Sequence, residues 1–276
     1  SGMFQPDEVI VCWDGEGGSQ KRKQIDKNYK AGRKPVRFNR RLIDLSPEES
    51  DKNKYNQQYR LMEYLNDLPI IQTMIDYIEA DDVIAYVAQH EKYQDWEKVI
   101  VSSDKDFFQL ISKDCKLYRP IQDQLVDYPT LMAEHKIHPK NFALARSLVG
   151  DKSDNIPGIT KVGNKTASKW LNQYGDIDNL LAESDEVTGV VGENLRNEKD
   201  ILQRNLFLVS LKKDLELNLE IDSLNIPEAA NDELKDFYKD LEFNSFIEDK
   251  AEEKISKNYI SIKNIKQLEA IEKEQD

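Results

Sequence analysis

The chain has 276 residues and a formal net charge of -13 at pH 7, and 33% of its residues are charged. This length allows one globular domain with an appended lobe. The mean hydropathy of -0.71 excludes a membrane protein, and nothing at the start resembles a signal peptide, so we expect the cytoplasm or an organelle rather than secretion.

Two short, β-branched apolar runs each lead to an aspartate. Val9-Ile10-Val11-Cys12-Trp13 ends at Asp14, and the run 99–101 is followed by Asp104. Runs of this kind are typical of buried parallel strands. In an open α/β sheet, ligands bind just beyond the carboxyl ends of the strands. Both aspartates are therefore expected at the edge of the sheet where active sites form.

A strongly basic segment follows Asp14. Residues 20–41 contain ten basic residues and one acid, Asp26. The basic residues are Lys21, Arg22, Lys23, Lys27, Lys30, Arg33, Lys34, Arg37, Arg40 and Arg41. Such density is an electrostatic footprint for phosphates, although a charge run is more often a solvated loop. Its position directly after Asp14 favours the phosphate interpretation.

Further acids lie at predicted helix starts. Glu79, Asp81 and Asp82 precede a helix through Val83 and Val87, which either Asp81 or Asp82 could cap. Asp104 and Asp106 open another helix, and this pattern also fits a phosphatase D-x-D loop. Such a loop expects a hydroxyl side chain shortly after the second aspartate, and residues 107–109 offer none.

The remaining elements indicate two regions. A strand around 116–118 completes an alternation of strands and helices up to about residue 125, which predicts a mostly parallel central sheet flanked by helices. A helix is predicted over Tyr128–His135, and the chain then reads as mainly helical, with one further strand at 215–219. From residue 247 the sequence is Lys/Glu-rich and is predicted to leave the compact body.

Residues 150–167 form the most specific segment. Asp151 and Asp154 precede Gly158 and Gly163, which predict a tight turn, and residues 165–174 read as the next helix. A helix-turn-helix connection alone would not require the two aspartates. Such a hairpin can present backbone N–H groups to phosphates.

Eight carboxylates thus fall in four clusters. They are Asp14; Glu79, Asp81 and Asp82; Asp104 and Asp106; and Asp151 and Asp154. Carboxylates brought to one edge repel one another unless cations lie between them, and hard oxygen ligands suit Mg²⁺ or Mn²⁺. The pattern predicts a metal-dependent enzyme of the α/β class.

The chain resembles the 5′ nucleases, which include phage flap endonucleases and 5′-3′ exonucleases and the 5′-nuclease domain of bacterial DNA polymerase I. The resemblance covers residues 8–249. It rests on Trp13-Asp14-Gly15, on Tyr29-Lys30-Ala31-Gly32-Arg33, and on segments 79–82, 103–106 and 150–158, which occur in family order and at family-like spacing. Together these motifs are highly specific, and each alone is weak.

The resemblance implies a PIN-like nuclease core over residues 4–125, with a basic helical arch at about 19–58. A helical DNA-binding lobe would occupy 126–249, with a helix-hairpin-helix at about 147–175, followed by a charged tail or linker at 250–276. Asp14, Glu79, Asp81, Asp82 and Asp104 would surround a first metal ion, and Asp106, Asp151 and Asp154 a second. Lys30 and Arg33 would contact the scissile phosphate, and Tyr29 would stack beside them.

The resemblance also assigns DNA contacts and partners. The DNA-binding set would comprise Lys21, Arg22, Lys27, Tyr29, Arg37, Gly158, Thr160, Val162, Gly163, Lys165 and Thr166. In the family the hairpin often holds K⁺ through backbone carbonyls. The expected substrates are DNA with 5′ flaps, forks or 5′ ends, including RNA primers on DNA. We expect a monomer, with a DNA polymerase on the same or another chain as a partner, and no membrane.

One departure from the family pattern leaves an alternative open. The family begins with a strand that carries an aspartate, followed by a helix, before the region matched by residues 8–14, and this sequence contains neither. The missing aspartate would bind the first metal ion. The alternative is therefore a non-catalytic, structure-specific DNA-binding module. A toxin-like α/β RNase shares the clustered acids but does not predict the glycine hairpin or the basic arch.

Overall fold

The computed structural model describes residues 3–31, 45–215, 221, 224–228 and 231–241. The chain divides into two compact units, residues 1–229 and 230–276. Within the described part of the chain, no helix has the length and apolar character needed to cross a membrane.

The first half of the first unit mixes helices and strands. Its elements are β1 (Ile10–Asp14), α1 (Gln20–Ile25), α2 (Pro47–Asn66), β2 (Ile71–Ile75), α3 (Ala80–Gln89), a 3₁₀ helix (Glu91–Tyr93), β3 (Lys98–Val101), a 3₁₀ helix (Lys105–Leu110), β4 (Cys115–Arg119) and β5 (Gln124–Val126). The predicted strands at 9–13, 99–101 and 116–118 are confirmed as β1, β3 and β4. Strand β2 was not predicted.

The second half is mainly helical, as predicted. Its elements are α4 (Tyr128–His135), a 3₁₀ helix (Pro139–Asn141), α5 (Phe142–Val149), the two-residue strands β6 (Gly150–Asp151) and β7 (Ile156–Pro157), α6 (Asn164–Tyr174), α7 (Ile177–Ala182), α8 (Gly189–Asn197) and α9 (Lys199–Val209). The second unit contributes α10 (Asn231–Asp240). Most of the predicted strand at 215–219 and all of the tail from 247 lie outside the described residues.

The predicted single central sheet is not present in the described part of the chain. β1 pairs in parallel with β2, from Ile10 opposite Ile71 to Asp14 opposite Ile75. β3 pairs in parallel with β4, and β5 joins β4 in the antiparallel sense. The parallel pairing is confirmed, but these strands form two separate sheets because no described strand joins β1 to β3.

Helix α3 packs on both sheets. Val83 and Val87 lie in a buried cluster with Ile10 of β1. Ala85 lies in the main core with Ile100 of β3. Because side chains one to four positions apart cover different parts of a helix surface, one short apolar helix can hold two sheets together. The carboxyl ends of β1 and β3 are thereby brought to the first turn of α3.

Of the two glycines that the sequence assigned to the turn between α5 and α6, the structure requires only Gly158 to be glycine. A Cβ on Gly158 would lie 2.2 Å from the Val149 carbonyl oxygen and 2.7 Å from the Gly150 nitrogen. Gly163 has φ -116° and an open position where a Cβ would meet nothing within 4 Å. The expectation that both glycines form a tight turn is therefore wrong for Gly163, whose backbone any residue can adopt.

Replacing the two glycines by alanine should separate these roles. Gly158→Ala should reduce the free energy of unfolding by at least about 2 kcal/mol, because the new methyl group overlaps backbone that cannot move aside. Gly163→Ala, the matched control, should cost no more than about 1 kcal/mol as a change at a helix N-cap. Urea denaturation of both variants would test this, and equal losses would contradict the close contact at Gly158.

Candidate active site

Asp14 connects β1 to the start of α3. Its Oδ1 accepts a hydrogen bond of 2.8 Å from the backbone N–H of Ala80, the first residue of the helix. The sequence predicted that Asp81 or Asp82 would cap this helix, and that prediction is wrong. A carboxylate from another strand satisfies one of the free N–H groups of the first turn, where the helix dipole also favours negative charge.

Arg22 of α1 lies beneath two of the acids. It is buried, and its guanidinium donates to Glu79 and, at 2.8 and 2.9 Å, to the two carboxylate oxygens of Asp82. Burial alone would lower the pKa of Arg22, but its bonds to Asp82 and the charges of Asp82 and Glu79 hold that pKa above its usual range. The structure contradicts the placement of Arg22 on a DNA-facing surface, because a buried guanidinium cannot reach a phosphate.

Lys30 contacts both groups of acids. Its ammonium lies 2.6 Å from Glu79 Oε1, and its backbone N–H donates to the Asp154 carbonyl at 2.9 Å. The residue has φ 57°, a left-handed conformation that costs free energy for a residue other than glycine. The two contacts hold it in this conformation, so one residue ties the Asp154 loop to Glu79.

Tyr29 is part of the same anchor. Its ring is 4% exposed and lies in a cluster with Ala143, Ile156 and Leu208, and its hydroxyl is 3.4 Å from Glu79 Oε2. Burial, and then the negative charge of Glu79, raises its pKa above the usual range. The expected stacking role is contradicted in this structure, because the ring has no face open to a base.

Asp81 lies among other carboxylates. Burial raises its pKa to about 7, and the charges of Asp104, Glu79 and Asp14 add to this effect while Lys30 opposes it. Asp104 follows β3 and accepts a 2.9 Å bond from the Asp106 N–H as the cap of its 3₁₀ helix. The charges of Asp14, from the end of β1, and of Asp104, after β3, therefore act on Asp81 at the start of α3, and their joint role at a metal ion stays a prediction.

The second group of acids surrounds Arg146 of α5. The pKa of Asp106 rises to about 7 through burial and then through Asp104, Asp151 and Asp154, against the opposing charge of Arg146. Arg146 Nε lies 3.2 Å from Asp106 Oδ1, and its Nη2 bonds to Asp151.

The pKa of Asp151 is lowered instead. Burial acts to raise it, but the hydrogen bonds from Ser153 and the charge of Arg146 outweigh that effect. The Ser153 hydroxyl and N–H reach Asp151 Oδ1 at 2.6 and 2.8 Å. Sequence reasoning missed Arg146, although one arginine in the apolar helix Phe142–Val149, five residues before Asp151, was a visible signal.

The acids fit hard divalent cations in chemistry but not in their present spacing. Every candidate donor is a carboxylate oxygen, and the pKa values of Asp81 and Asp106 are raised first by burial and then by neighbouring negative charge, which a cation would offset. Among the described residues, however, no three His, Cys, Asp or Glu side chains are arranged to hold a metal ion. Arg22, Lys30 and Arg146 already bond to several of these acids.

The other residues predicted to contact DNA differ in their exposure to solvent. Lys21 and Lys27 are exposed, whereas Arg33 and Arg37 lie outside the described residues. In the hairpin, Thr160, Gly163 and Lys165 are exposed, Gly158 and Thr166 are partly buried, and the Val162 side chain belongs to the core. Val162 can therefore offer only its backbone to DNA.

The hairpin is fixed to α8 and its surroundings by polar contacts. The Thr160 N–H donates to Glu198 at 2.8 Å, and the Thr160 carbonyl accepts from Asn194 at 2.8 Å. Because this carbonyl already has a partner, it has less capacity to coordinate K⁺.

The chain matches two family models of exonuclease domains. Residues 2–140 match the N-terminal resolvase-like domain of the 5′-3′ exonucleases, and residues 137–232 match their C-terminal SAM fold. The first match covers half of the chain, and the chain belongs to the 5′-3′ exonuclease family.

Relatives support this assignment. The thermostable DNA polymerase I of Thermus aquaticus is 31% identical over 242 residues, which is 87% of this chain and 27% of the polymerase. A 5′-3′ exonuclease of Aquifex aeolicus is 33% identical over 171 residues, covering 62% of this chain and 58% of that protein. The chain thus spans about a quarter of the length of the polymerases that it matches.

Solved structures share the fold. The 5′-exonuclease of bacteriophage T5, determined with bound divalent zinc ions, superposes with a TM-score of 0.63 at 21% identity over 86% of this chain and 84% of that one. The flap endonuclease of the same phage, solved with DNA and metal ions, gives 0.64 at 19% identity over 86% and 85%. At these identities the likeness establishes the fold.

The pKa of Asp81 makes the metal-free protein sensitive to pH. Between about pH 4 and 7 the folded chain keeps a proton that the unfolded chain has released, so stability should fall as pH rises, by at most about 1.4 kcal/mol per unit. In EDTA, Asp81→Asn should lose this part of the slope, whereas exposed Asp178→Asn should keep it. Urea titrations across this range would test the difference, and identical slopes for wild type and Asp81→Asn would contradict the crowding.

Proposed function

We propose that the chain is a divalent-metal-dependent, structure-specific 5′-3′ exonuclease and flap endonuclease that hydrolyses DNA phosphodiesters in replication or repair. The observation that carries this proposal is the bond from the Ala80 N–H to Asp14, which brings the end of β1 to the start of α3 near Asp81, within a chain of the 5′-3′ exonuclease family. Phage relatives have been solved with divalent metal ions and with DNA. These features together favour a hydrolytic nuclease.

The proposed site holds two Mg²⁺ or Mn²⁺ ions. Asp14, Asp81 and Asp104 would hold the first, with Glu79 and Asp82 at its border. Asp106, Asp151 and Asp154 would hold the second. Two such ions, about 4 Å apart, can activate water and stabilise the leaving oxygen. Lys30 and Arg33 would bind the scissile phosphate, and for Lys30 this requires the ammonium to leave Glu79.

Substrate choice would come from DNA shape rather than base reading. We propose that the substrates are DNA with 5′ flaps, forks or 5′ ends, including primer RNA on DNA. Lys21, Lys27 and Arg37 would lie near the DNA backbone. The hairpin at 158–166 would bind duplex DNA, with or without K⁺. The nuclease core would occupy a PIN-like domain at 4–125 and the DNA-binding lobe 126–249. We propose that the chain is a monomer that acts beside a DNA polymerase, in the cytoplasm or in an organelle. Its similarity to DNA polymerase I supports the polymerase as a partner.

A flap-cleavage assay tests the activity. A 5′-flap duplex labelled at its 3′ end should be cut near the junction with Mg²⁺ and not with EDTA. Asp104→Asn should slow cutting by at least about 100-fold, because a proposed ligand of the first metal ion is lost, and should bind the flap at least as tightly as wild type because a negative charge is removed. Equal losses of binding and cutting in this variant would count against a metal role for Asp104.

Lys30→Ala tests the proposed phosphate contact. Cutting should slow by about 10- to 100-fold while duplex affinity changes by less than about threefold, since one cation contributes little to a large phosphate interface. Lys27→Ala, an exposed lysine in the same segment, is the matched control and should change cutting much less. Unchanged cutting by Lys30→Ala would refute its role at the scissile phosphate.

A second candidate is a non-catalytic module that binds forked DNA. It is favoured by one observation: Arg22, Lys30 and Arg146 already bond to the acids, and no described set of ligands is arranged around a metal position. The flap assay separates the two candidates. Tight flap binding without cutting at any Mg²⁺ concentration would support the binding module and overturn the nuclease.

A further inference from the structure

Asp82 differs from its neighbour Asp81 in its partners. It is 4% exposed, and both of its oxygens are occupied. Oδ2 accepts from Arg22 Nη1 at 2.8 Å, and Oδ1 accepts from Arg22 Nη2 and from the Lys212 N–H, both at 2.9 Å. This is a bidentate arginine–carboxylate pair, the geometry that gives the strongest charge-assisted hydrogen bonds.

The guanidinium of Arg22 is equally saturated. An arginine has five N–H donors. Here Nε donates to the Leu208 carbonyl at 3.0 Å, Nη1 to Glu79 and Asp82, and Nη2 to Asp82 and, at 3.1 Å, to the Ser210 carbonyl. All five donors therefore have acceptors, and these acceptors come from α3 and from the end of α9.

Asp81 has a different environment. Adjacent residues on a helix do not point to the same side. Asp81 lies near the charges of Asp104, Lys30, Glu79 and Asp14, whereas Asp82 bonds to Arg22 of α1 and to the Lys212 N–H beyond α9. Asp81 and Asp82 therefore have different partners, although they are adjacent in the sequence and were predicted to act as one cluster.

We propose that Asp82 is not a metal ligand but the anchor of Arg22, and that this buried pair is a positioning device for the site. The proposal rests on the proposed nuclease function for its catalytic consequence. Arg22 and Asp82 join α1, α3 and the end of α9, so Glu79 is held from α1, and Asp81 lies about 100° around the helix from Asp82. The first ion would then be held by Asp14, Asp81 and Asp104.

The pair of Arg22 and Asp82 also helps to fix the position of the first residues of the basic segment. Tyr29 and Lys30 reach the same Glu79 that Arg22 contacts. Removing Asp82 would leave the buried Arg22 with only part of its charge compensation, from Glu79, and removing Arg22 would take from the buried Asp82 the cation to which both of its oxygens bond. Either loss is more destabilising than loss of an exposed ion pair. The start of the basic segment would then lose its fixed position relative to α3.

The first test is a double-mutant cycle in EDTA, which needs no activity. Arg22→Gln and Asp82→Asn should each lower the melting temperature by about 5 °C or more, and the double variant should lose clearly less than the sum. Arg22→Lys, which keeps the charge but not the bidentate fork, should fall between wild type and Arg22→Gln. Additive losses would overturn the anchor.

The second test compares the neighbouring acids by direct Mn²⁺ binding, followed by the electron spin resonance of free Mn²⁺. Asp82→Asn should bind Mn²⁺ within about threefold of wild type, whereas Asp81→Asn should bind at least about tenfold more weakly. Should Asp82→Asn weaken Mn²⁺ binding as much as Asp81→Asn does, Asp82 is a ligand and the proposal is wrong.

The third test separates positioning from mere stability. At a temperature where Arg22→Lys is fully folded, its kcat on the 5′ flap should fall by about tenfold while KM stays within about twofold, because Arg22 is too buried to contact DNA. A kcat equal to that of wild type would overturn the positioning role. Failure of the proposed function is recognised separately: a wild-type chain that neither binds Mn²⁺ nor cuts flaps still yields the coupling between Arg22 and Asp82.

Discussion

Repulsion between carboxylates is the constraint around which this region is built. Acids from β1, α3, the turn after β3 and the loop after α5 lie in a partly buried space, where burial and then neighbouring negative charge raise the pKa values of Asp81 and Asp106. Unpaired charges in such a place would oppose folding. The negative charges are compensated by Arg22, Arg146 and Lys30 and by the positive end of helix α3.

These compensating groups come from both halves of the first unit, and they link the two halves in addition to the shared hydrophobic core. Arg22 connects α1 to α3 and to the end of α9, and Lys30 connects Glu79 to the loop that carries Asp154. Arg146 connects α5 to the 3₁₀ helix after β3 through Asp106. The polar contacts that neutralise the acids therefore also set the positions of the helices that carry them.

Much of this was readable from the sequence. The strand ends at Asp14 and near Asp104, the helix Tyr128–His135 and the helical second half follow from apolar runs and capping residues. The rule that parallel strands bring their carboxyl ends to one edge predicted that Asp14 and Asp104 would lie close together, although the described strands β1 and β3 belong to separate sheets.

Other features could not be read from local patterns. The burial of Arg22 and Tyr29 depends on contacts with residues about 180 positions later, such as Leu208, and a basic run gives no signal of which member turns inward. The division into two sheets, and the open backbone at Gly163, likewise arise from tertiary packing. The density of charge along the chain can be predicted from local sequence, but the partner of each charged side chain cannot.

The packing of α3 across two sheets has a mechanical consequence. Paired strands keep a separation of about 4.8 Å through their hydrogen bonds, but β1 and β3 are related through side chains of a single helix. A small rotation of α3 would shift Asp14, which is bonded to its first residue, relative to Asp104 without breaking any hydrogen bond between strands. The hydrogen bond between Asp14 and Ala80 thus couples the position of the end of β1 to that of α3.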